Sequence, residues 1–198
     1  MIAFYLLGAI VVTFLAQIVY PPLTGWFVLD PATLMQHPWT LIGSMFLHGG
    51  IVHLFFNGFA LFTFGPYLEQ MIGSKRFLAV YALSGLAGGL AYAAMYWLHL
   101  VPVSIPALGA SGAIFGLLGA VAILRPNLPI LMMFIPMPMK YAALVWVALS
   151  LIQTVDFSSG IAGAAHLGGL FVGAAMAYVW LKMGSIEWAD ESQYGGNY

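Results

Sequence analysis

Residues 109–124 read GASGAIFGLLGAVAIL, a stretch without charge in which one hydroxyl stands among alanines, glycines and large apolar side chains. Such a segment is typical of a helix inside a membrane bundle. Small residues let helix backbones approach closely, and packing of this kind drives association where lipid supplies no hydrophobic force between helices. Close packing does not by itself explain the hydroxyl of Ser111.

The composition is that of an integral membrane protein. Only 6% of the 198 residues are charged and 63% are hydrophobic, whereas soluble domains carry about 25% charged residues. A net charge of −1 gives no indication of nucleic-acid binding, and a chain without cysteine has neither disulfides nor thiol chemistry. We therefore expect the lipid bilayer as a partner and a multi-pass protein of the plasma membrane.

Apolar runs near the ~20 residues that cross ~30 Å of hydrocarbon predict an all-α polytopic bundle of six transmembrane helices. The predicted spans are 2–20, 51–70, 77–98, 109–124, 141–155 and 161–181. Residues 21–47 and the stretch LPILMMFIPMPM (128–139) are rich in proline and are expected at the interface, the second as a loop or a strand. One membrane domain is predicted over 1–182, with a flexible cytoplasmic tail over 183–198.

The basic residues predict the orientation of this bundle. All five fall in or beside the connections on one side of the predicted membrane: Lys75, Arg76, Arg125, Lys140 and Lys182. The positive-inside rule then places both termini in the cytoplasm, so that spans two, four and six run from outside to inside.

Four polar residues gather in the outer part of these three spans. A rise of ~1.5 Å per residue places Ser111 of span four and His166 of span six at similar depth. His53 and Asn57, four residues apart, share one face of span two. Each alone could be a packing or interhelical hydrogen-bonding residue. Their convergence predicts a functional site, since ionisable residues within the membrane are by default functional candidates.

Two pairs of glycines predict that spans four and six pack closely. Gly112 and Gly116 form one small face, and Gly169 and Gly173 form the other, with the span-six histidine on the same side. Close approach would bring that imidazole to the serine hydroxyl, which is the arrangement of an activated nucleophile with histidine as general base. Because no carboxylate is well placed for a triad, we expect a Ser-His dyad with no metal or other cofactor.

The motifs together resemble those of the rhomboid family of intramembrane serine proteases across nearly the whole chain. GASGAIFG resembles the nucleophile motif, AHLGGLFVG the histidine motif and HGGIVHLFFN the segment leading into the second helix. GPYLEQMIGSKRF (65–77) is similar to the junction between helices two and three. Any one of these motifs is weak evidence, whereas the combination is highly specific.

The resemblance implies a role for each site residue. Ser111 is the nucleophile, His166 is the general base, and His53 and Asn57 contribute to the oxyanion site. Three further residues support the site: Phe115, which would pack against the histidine ring where many members have tyrosine, Gly109 and His48.

The activity implied is hydrolysis of a peptide bond within or next to a transmembrane segment of a substrate protein, which would enter laterally near helix five. A catalytically silent relative that binds membrane clients is the alternative. A small-solute transporter is a third possibility, disfavoured by the absence of acidic residues in mid-span. The chain departs from the family pattern at Thr40, which follows Trp39 where an arginine is usual, and this change is expected to affect packing of the loop.

Overall fold

The computed structural model describes residues 1–101, 104–132, 134–155 and 163–186. Its helices are α1 (Ile2–Val19), α2 (Pro22–Phe27), α3 (Thr40–Gly43), α4 (Ile51–Ile72), α5 (Ser74–Trp97), α6 (Ser111–Leu124), α7 (Met139–Val155) and α8 (Gly163–Lys182). A 3₁₀ turn at Ser44–Phe46 follows α3. Two strands, β1 (Pro129–Met132) and β2 (Ile135–Pro138), connect α6 to α7.

Four of these helices, α1, α4, α5 and α8, are long and apolar enough to cross a membrane. The apolar helices α6 and α7 are shorter. The prediction of a mostly helical integral membrane protein is thus confirmed, while the count of six spans stays a prediction. Helix α5 begins three residues earlier than predicted and α6 two residues later. Helix α5 begins directly after Gly73, at φ +79°, and α6 begins two residues after Gly109, at φ +128°; both angles lie outside the helical region.

The two proline-rich connections form no spanning helix. Residues 21–47 contain only the short helices α2 and α3, the 3₁₀ turn and, at Leu29, an isolated bridge to Ala107. Residues 128–139 contain the antiparallel hairpin of β1 and β2, in which Met132 pairs with Ile135, so the strand alternative is the correct one. The predicted tail lies mostly outside the described residues, because its positions 187–198 are not among them.

Helix α6 lies at the centre of the fold, with all but a few of its residues buried. It packs against α8 with backbone touching backbone. A Cβ added to Gly169 would overlap the carbonyl oxygen of Gly112, and one added to Gly173 would overlap that of Gly116. The two predicted glycine faces are therefore in contact, and the absence of side chains at these positions sets the distance between the two helices.

The buried carboxylate of Glu69 joins three helices at the end of the bundle opposite the predicted Ser111–His166 site. Glu69 of α4 accepts hydrogen bonds from the backbone N–H groups of Ile2, at 2.8 Å, and Ala3, at 2.9 Å. It also accepts one from the hydroxyl of Ser74, at 2.5 Å, where α5 begins. The first N–H groups of α1 have no acceptor within their own helix, and a negative charge is favourable there.

We expect Glu69→Ala to lower the free energy of unfolding by about 1–3 kcal/mol, because it leaves buried donors at the start of α1 without an acceptor. Glu69→Gln keeps one acceptor and should cost less. Thr63→Val is the matched control on the same helix, since it removes an exposed hydroxyl bonded only to the carbonyl of Phe59. Thermal unfolding in detergent measures all three, and equal midpoints for Glu69→Ala and Thr63→Val would contradict the role given to the carboxylate.

Candidate active site

The predicted dyad residues are in hydrogen-bonding contact. Ser111 is the first residue of α6, and His166 lies in the first turn of α8. The serine Oγ and the histidine Nε2 are 3.0 Å apart, a distance at which the hydroxyl can donate to a neutral imidazole. Because α6 begins at the serine, the first backbone N–H groups of the helix have no acceptor inside it.

An aromatic ring fixes the plane of the imidazole. The rings of Phe115 and His166 are stacked, with centroids 4.2 Å apart and an angle of 4° between their planes. The ring of Trp146 on α7 meets the Phe115 ring edge-on, with centroids 6.3 Å apart. The histidine is therefore held between helices by apolar surfaces while its Nε2 faces the hydroxyl.

Within the described part of the chain, no carboxylate bonds to the second ring nitrogen of the histidine. The Nδ1 of His166 is buried and makes no hydrogen bond with any residue in the described part of the chain. Asp156, ten positions before it, lies outside the described residues. Among the described residues, Ser111 and His166 therefore contact each other without an acidic third member.

His53 and Asn57 border the segment that leads into Ser111. A Cβ added to Gly109 would lie 2.7 Å and 2.8 Å from Cε1 and Nε2 of His53 and 3.9 Å from Nδ2 of Asn57. The asparagine is buried, and its Nδ2 donates to the carbonyl of His53 at 3.1 Å. All four predicted polar residues therefore lie in one region, with α4 on one side and α6 and α8 on the other.

His48 lies behind His53 in the loop before α4. Their rings meet edge-on with centroids 5.1 Å apart, and the backbone N–H of Gly49 donates to Nδ1 of His53 at 3.4 Å. Burial, together with the neighbouring His53 and against an opposing bond to the carbonyl of Phe46, lowers the pKa of His48 to about 4. A neutral His48 ring follows near pH 7.

The sequence motifs did not indicate the cavity beside the site, and they left open what Thr40 contacts. A cavity beside Ser111 is lined by side chains and glycines from several elements: Ser44, Met45, Gly85, Gly89 and Tyr92. Gly85, Gly89 and Tyr92 share one face of α5, whereas Ser44 and Met45 belong to the 3₁₀ turn, so the fold brings the two sets together. At the site of the family arginine, the hydroxyl of Thr40 donates to the carbonyl of His37 at 2.7 Å, which keeps this buried residue bonded within its own turn.

The fold and the site define a class: a helical membrane protein that holds a serine hydroxyl against an imidazole inside its bundle. Comparison with protein families gives a match to the Rhomboid domain over residues 35–183. The chain belongs to the rhomboid family.

Its relatives include proteins of bacteria and of eukaryotes. The chain is 48% identical over 81 residues to the putative rhomboid protease YdcA of Bacillus subtilis, covering 41% of this chain and 38% of that protein. It is 34% identical over 176 residues to Rhomboid protein 1, mitochondrial, of Saccharomyces cerevisiae, covering 82% and 48%. Inactive RHOMBOID-like protein 8 of Arabidopsis thaliana matches at 38% over 82 residues, 41% and 22% of the two chains.

The chain spans less than half the length of each of these relatives. Three of the matched relatives are named as mitochondrial. The comparisons therefore support a location in a membrane, but they do not support the plasma membrane that the sequence analysis expected.

Gly109→Ala should destabilise the protein by about 1–3 kcal/mol, because a side chain at φ +128° is strained and its Cβ would strike the His53 ring. Gly8→Ala is the matched control: its Cβ would meet nothing within 4 Å, and a helical alanine is neutral or stabilising by up to about 1 kcal/mol. Thermal unfolding in detergent compares the two variants. A Gly109→Ala protein as stable as Gly8→Ala would show that His53 does not lie against this segment.

Proposed function

We propose that this protein is an intramembrane serine endopeptidase that cleaves a peptide bond within or next to a transmembrane segment of membrane-protein substrates. The observation that carries the proposal is the 3.0 Å contact between Ser111 Oγ and His166 Nε2 inside the bundle of a rhomboid-family chain. A hydroxyl beside a neutral imidazole can be deprotonated as it attacks a carbonyl carbon.

In the first half of the reaction, Ser111 Oγ bonds to the scissile carbonyl carbon while its proton passes to His166 Nε2. The carbonyl oxygen becomes an oxyanion, for which the N–H groups at the start of α6 and the side chains of Asn57 and His53 are the nearby donors. The tetrahedral intermediate collapses when the C–N bond breaks and the imidazolium returns its proton to the leaving amine. An acyl-enzyme remains on the serine.

In the second half, a water molecule replaces the amine. His166 takes a proton from the water while the water oxygen attacks the acyl carbon. The imidazolium then gives this proton to Ser111 Oγ as the ester bond breaks. The stacked Phe115 keeps the imidazole in one plane, so that the same nitrogen serves both steps.

A catalytically silent protein that binds membrane clients is the second candidate. The match to a relative named inactive is the observation in its favour. The contact between an intact serine and an intact histidine favours the enzyme, because a client-binding surface has no requirement for that pair.

The proposal includes six spans with both termini in the cytoplasm. Helix α6 has 14 residues, about 21 Å at 1.5 Å per residue, which is short for a span. Its surroundings support this length, because it is enclosed by protein on nearly all sides and can begin below the membrane surface. The basic residues beside the same set of connections support the orientation.

A topology measurement tests this arrangement. A reporter fused after Tyr198 should be cytoplasmic, whereas a tag inserted after Val101, in the connection that follows α5, should be external. Protease protection or alkaline-phosphatase fusions distinguish the two sides. Finding both tags on one side would contradict the three spans, four to six, that the proposal places between them.

Covalent labelling and cleavage test the chemistry. A serine-directed fluorophosphonate should label the purified parent, and the parent should cut a single-span substrate in detergent. Ser111→Ala and His166→Ala should each lower turnover by roughly 10⁴-fold or more, because neither dyad member works without the other. Labelling should be lost in both.

Ser84→Ala is the matched control, since Ser84 is another buried serine of the bundle whose hydroxyl makes no hydrogen bond with the described residues. It should keep both labelling and cleavage. Cleavage retained by well-folded Ser111→Ala would overturn the proposed site. A parent that is folded yet unlabelled and inactive on several substrates would favour the client-binding candidate.

A further inference from the structure

Gln17 is a buried amide near the end of α1 that the proposed reaction does not use. Its Oε1 accepts the backbone N–H of His48 at 2.9 Å, and its Nε2 donates to the backbone carbonyl of the same residue at 3.3 Å. The Nε2 also donates to the hydroxyl of Thr24 at 2.9 Å. One side chain thus pairs with both polar groups of a peptide segment 31 residues away.

These bonds satisfy a stretch of backbone that has no regular partner. Residues 47–50 lie between the 3₁₀ turn and α4, outside any helix or strand. Buried N–H and C=O groups in such a loop are costly unless they are paired. Gln17 pairs them as a neighbouring strand would, and it thereby fixes the path of the chain into α4.

The fixed backbone reaches the site through the next residue. The N–H of Gly49 donates to Nδ1 of His53 at 3.4 Å, and the His48 ring packs against the same imidazole. A histidine that accepts at Nδ1 carries its proton on Nε2 when it is neutral. That Nε2 belongs, with Cε1, to the edge of the ring that lies against Gly109, two residues before Ser111.

We propose that Gln17 is a positioning residue for His53. By holding the backbone of His48, it keeps the Gly49 N–H on Nδ1 and so presents an Nε2–H donor to the segment before the nucleophile. This inference rests on the proposed function, in which His53 helps to stabilise the oxyanion. Within the described part of the chain, the side-chain hydrogen bonds of Gln17 go to His48 and Thr24 and not to Ser111 or His166.

Gln17→Met tests the proposal, because methionine has similar length and cannot pair with the loop. We expect kcat to fall roughly tenfold with little change in KM, since a misplaced donor weakens the transition state and leaves substrate binding intact. Thr24→Val is the matched control: it removes the third bond of the amide and leaves both bonds to His48 in place, so kcat should stay near that of the parent. A Gln17→Met enzyme with parental kcat overturns the proposal.

A double-mutant cycle separates positioning from general loosening of the fold. In a His53→Ala background, Gln17→Met should have little further effect on kcat, because the residue through which it acts is gone. The same tenfold loss in both backgrounds would show that Gln17 acts on overall stability instead. Should Gln17→Met fail to fold, Gln17→Asn serves in the same cycle, since it is shorter by one methylene and keeps its polarity.

A spectroscopic measurement does not depend on cleavage. In protein labelled with ¹⁵N-histidine, the signals of His53 are assigned by their loss in His53→Ala. The parent should show the tautomer with the proton on Nε2, and Gln17→Met should show a mixture of the two tautomers. An unchanged tautomer in Gln17→Met overturns the positioning role. A parent with the expected tautomer and no proteolysis would instead refute the proposed function alone.

Discussion

The contact between the backbones of α6 and α8 is the constraint on which the site depends. Gly169 and Gly173 lie against the carbonyl oxygens of Gly112 and Gly116, so that any side chain at these positions would push the helices apart. Lipid supplies no hydrophobic force between helices, and van der Waals contact at this close approach provides the attraction. The 3.0 Å distance between the serine and the histidine is a consequence of that separation.

The two sides of the site come from different elements. The hydroxyl and its imidazole belong to α6 and α8, whereas His53 and Asn57 belong to α4 and depend on the loop before it. In the proposed reaction, proton transfer and oxyanion stabilisation therefore depend on separate contacts. Burial strengthens both, because hydrogen bonds inside a protein act in a lower effective dielectric than water. A change behind His53 can weaken one function while the dyad keeps its geometry.

The sequence was sufficient to predict that Ser111 and His166 lie together. A helix has a constant rise and a constant angle per residue, so the spacing of glycines around Ser111 and His166 predicts both depth and contact. The cavity beside the serine could not be predicted in this way, because Met45 of the 3₁₀ turn and Gly85 and Tyr92 of α5 come from two elements whose relative placement the spacing does not give. The form of residues 128–139 was equally open, since their prolines exclude a helix interior without choosing between loop and hairpin.

The sequence did not predict the contacts that α1 makes with Glu69 and with the loop before α4, and the composition of the helix explains why. The helix is apolar almost all round, and such a pattern does not say which face meets the bundle. Its buried residues are Ala3, Ile10 and Gln17, seven positions apart, and polar bonds lie at both ends of this line. Glu69 accepts from the backbone at the first turn, and the amide of Gln17 pairs with the loop near the last. Rotating such a helix in lipid changes the free energy of apolar burial very little, whereas hydrogen bonds are directional. The two polar anchors therefore fix the rotation and depth of α1, and the loop that leads to His53 follows from them.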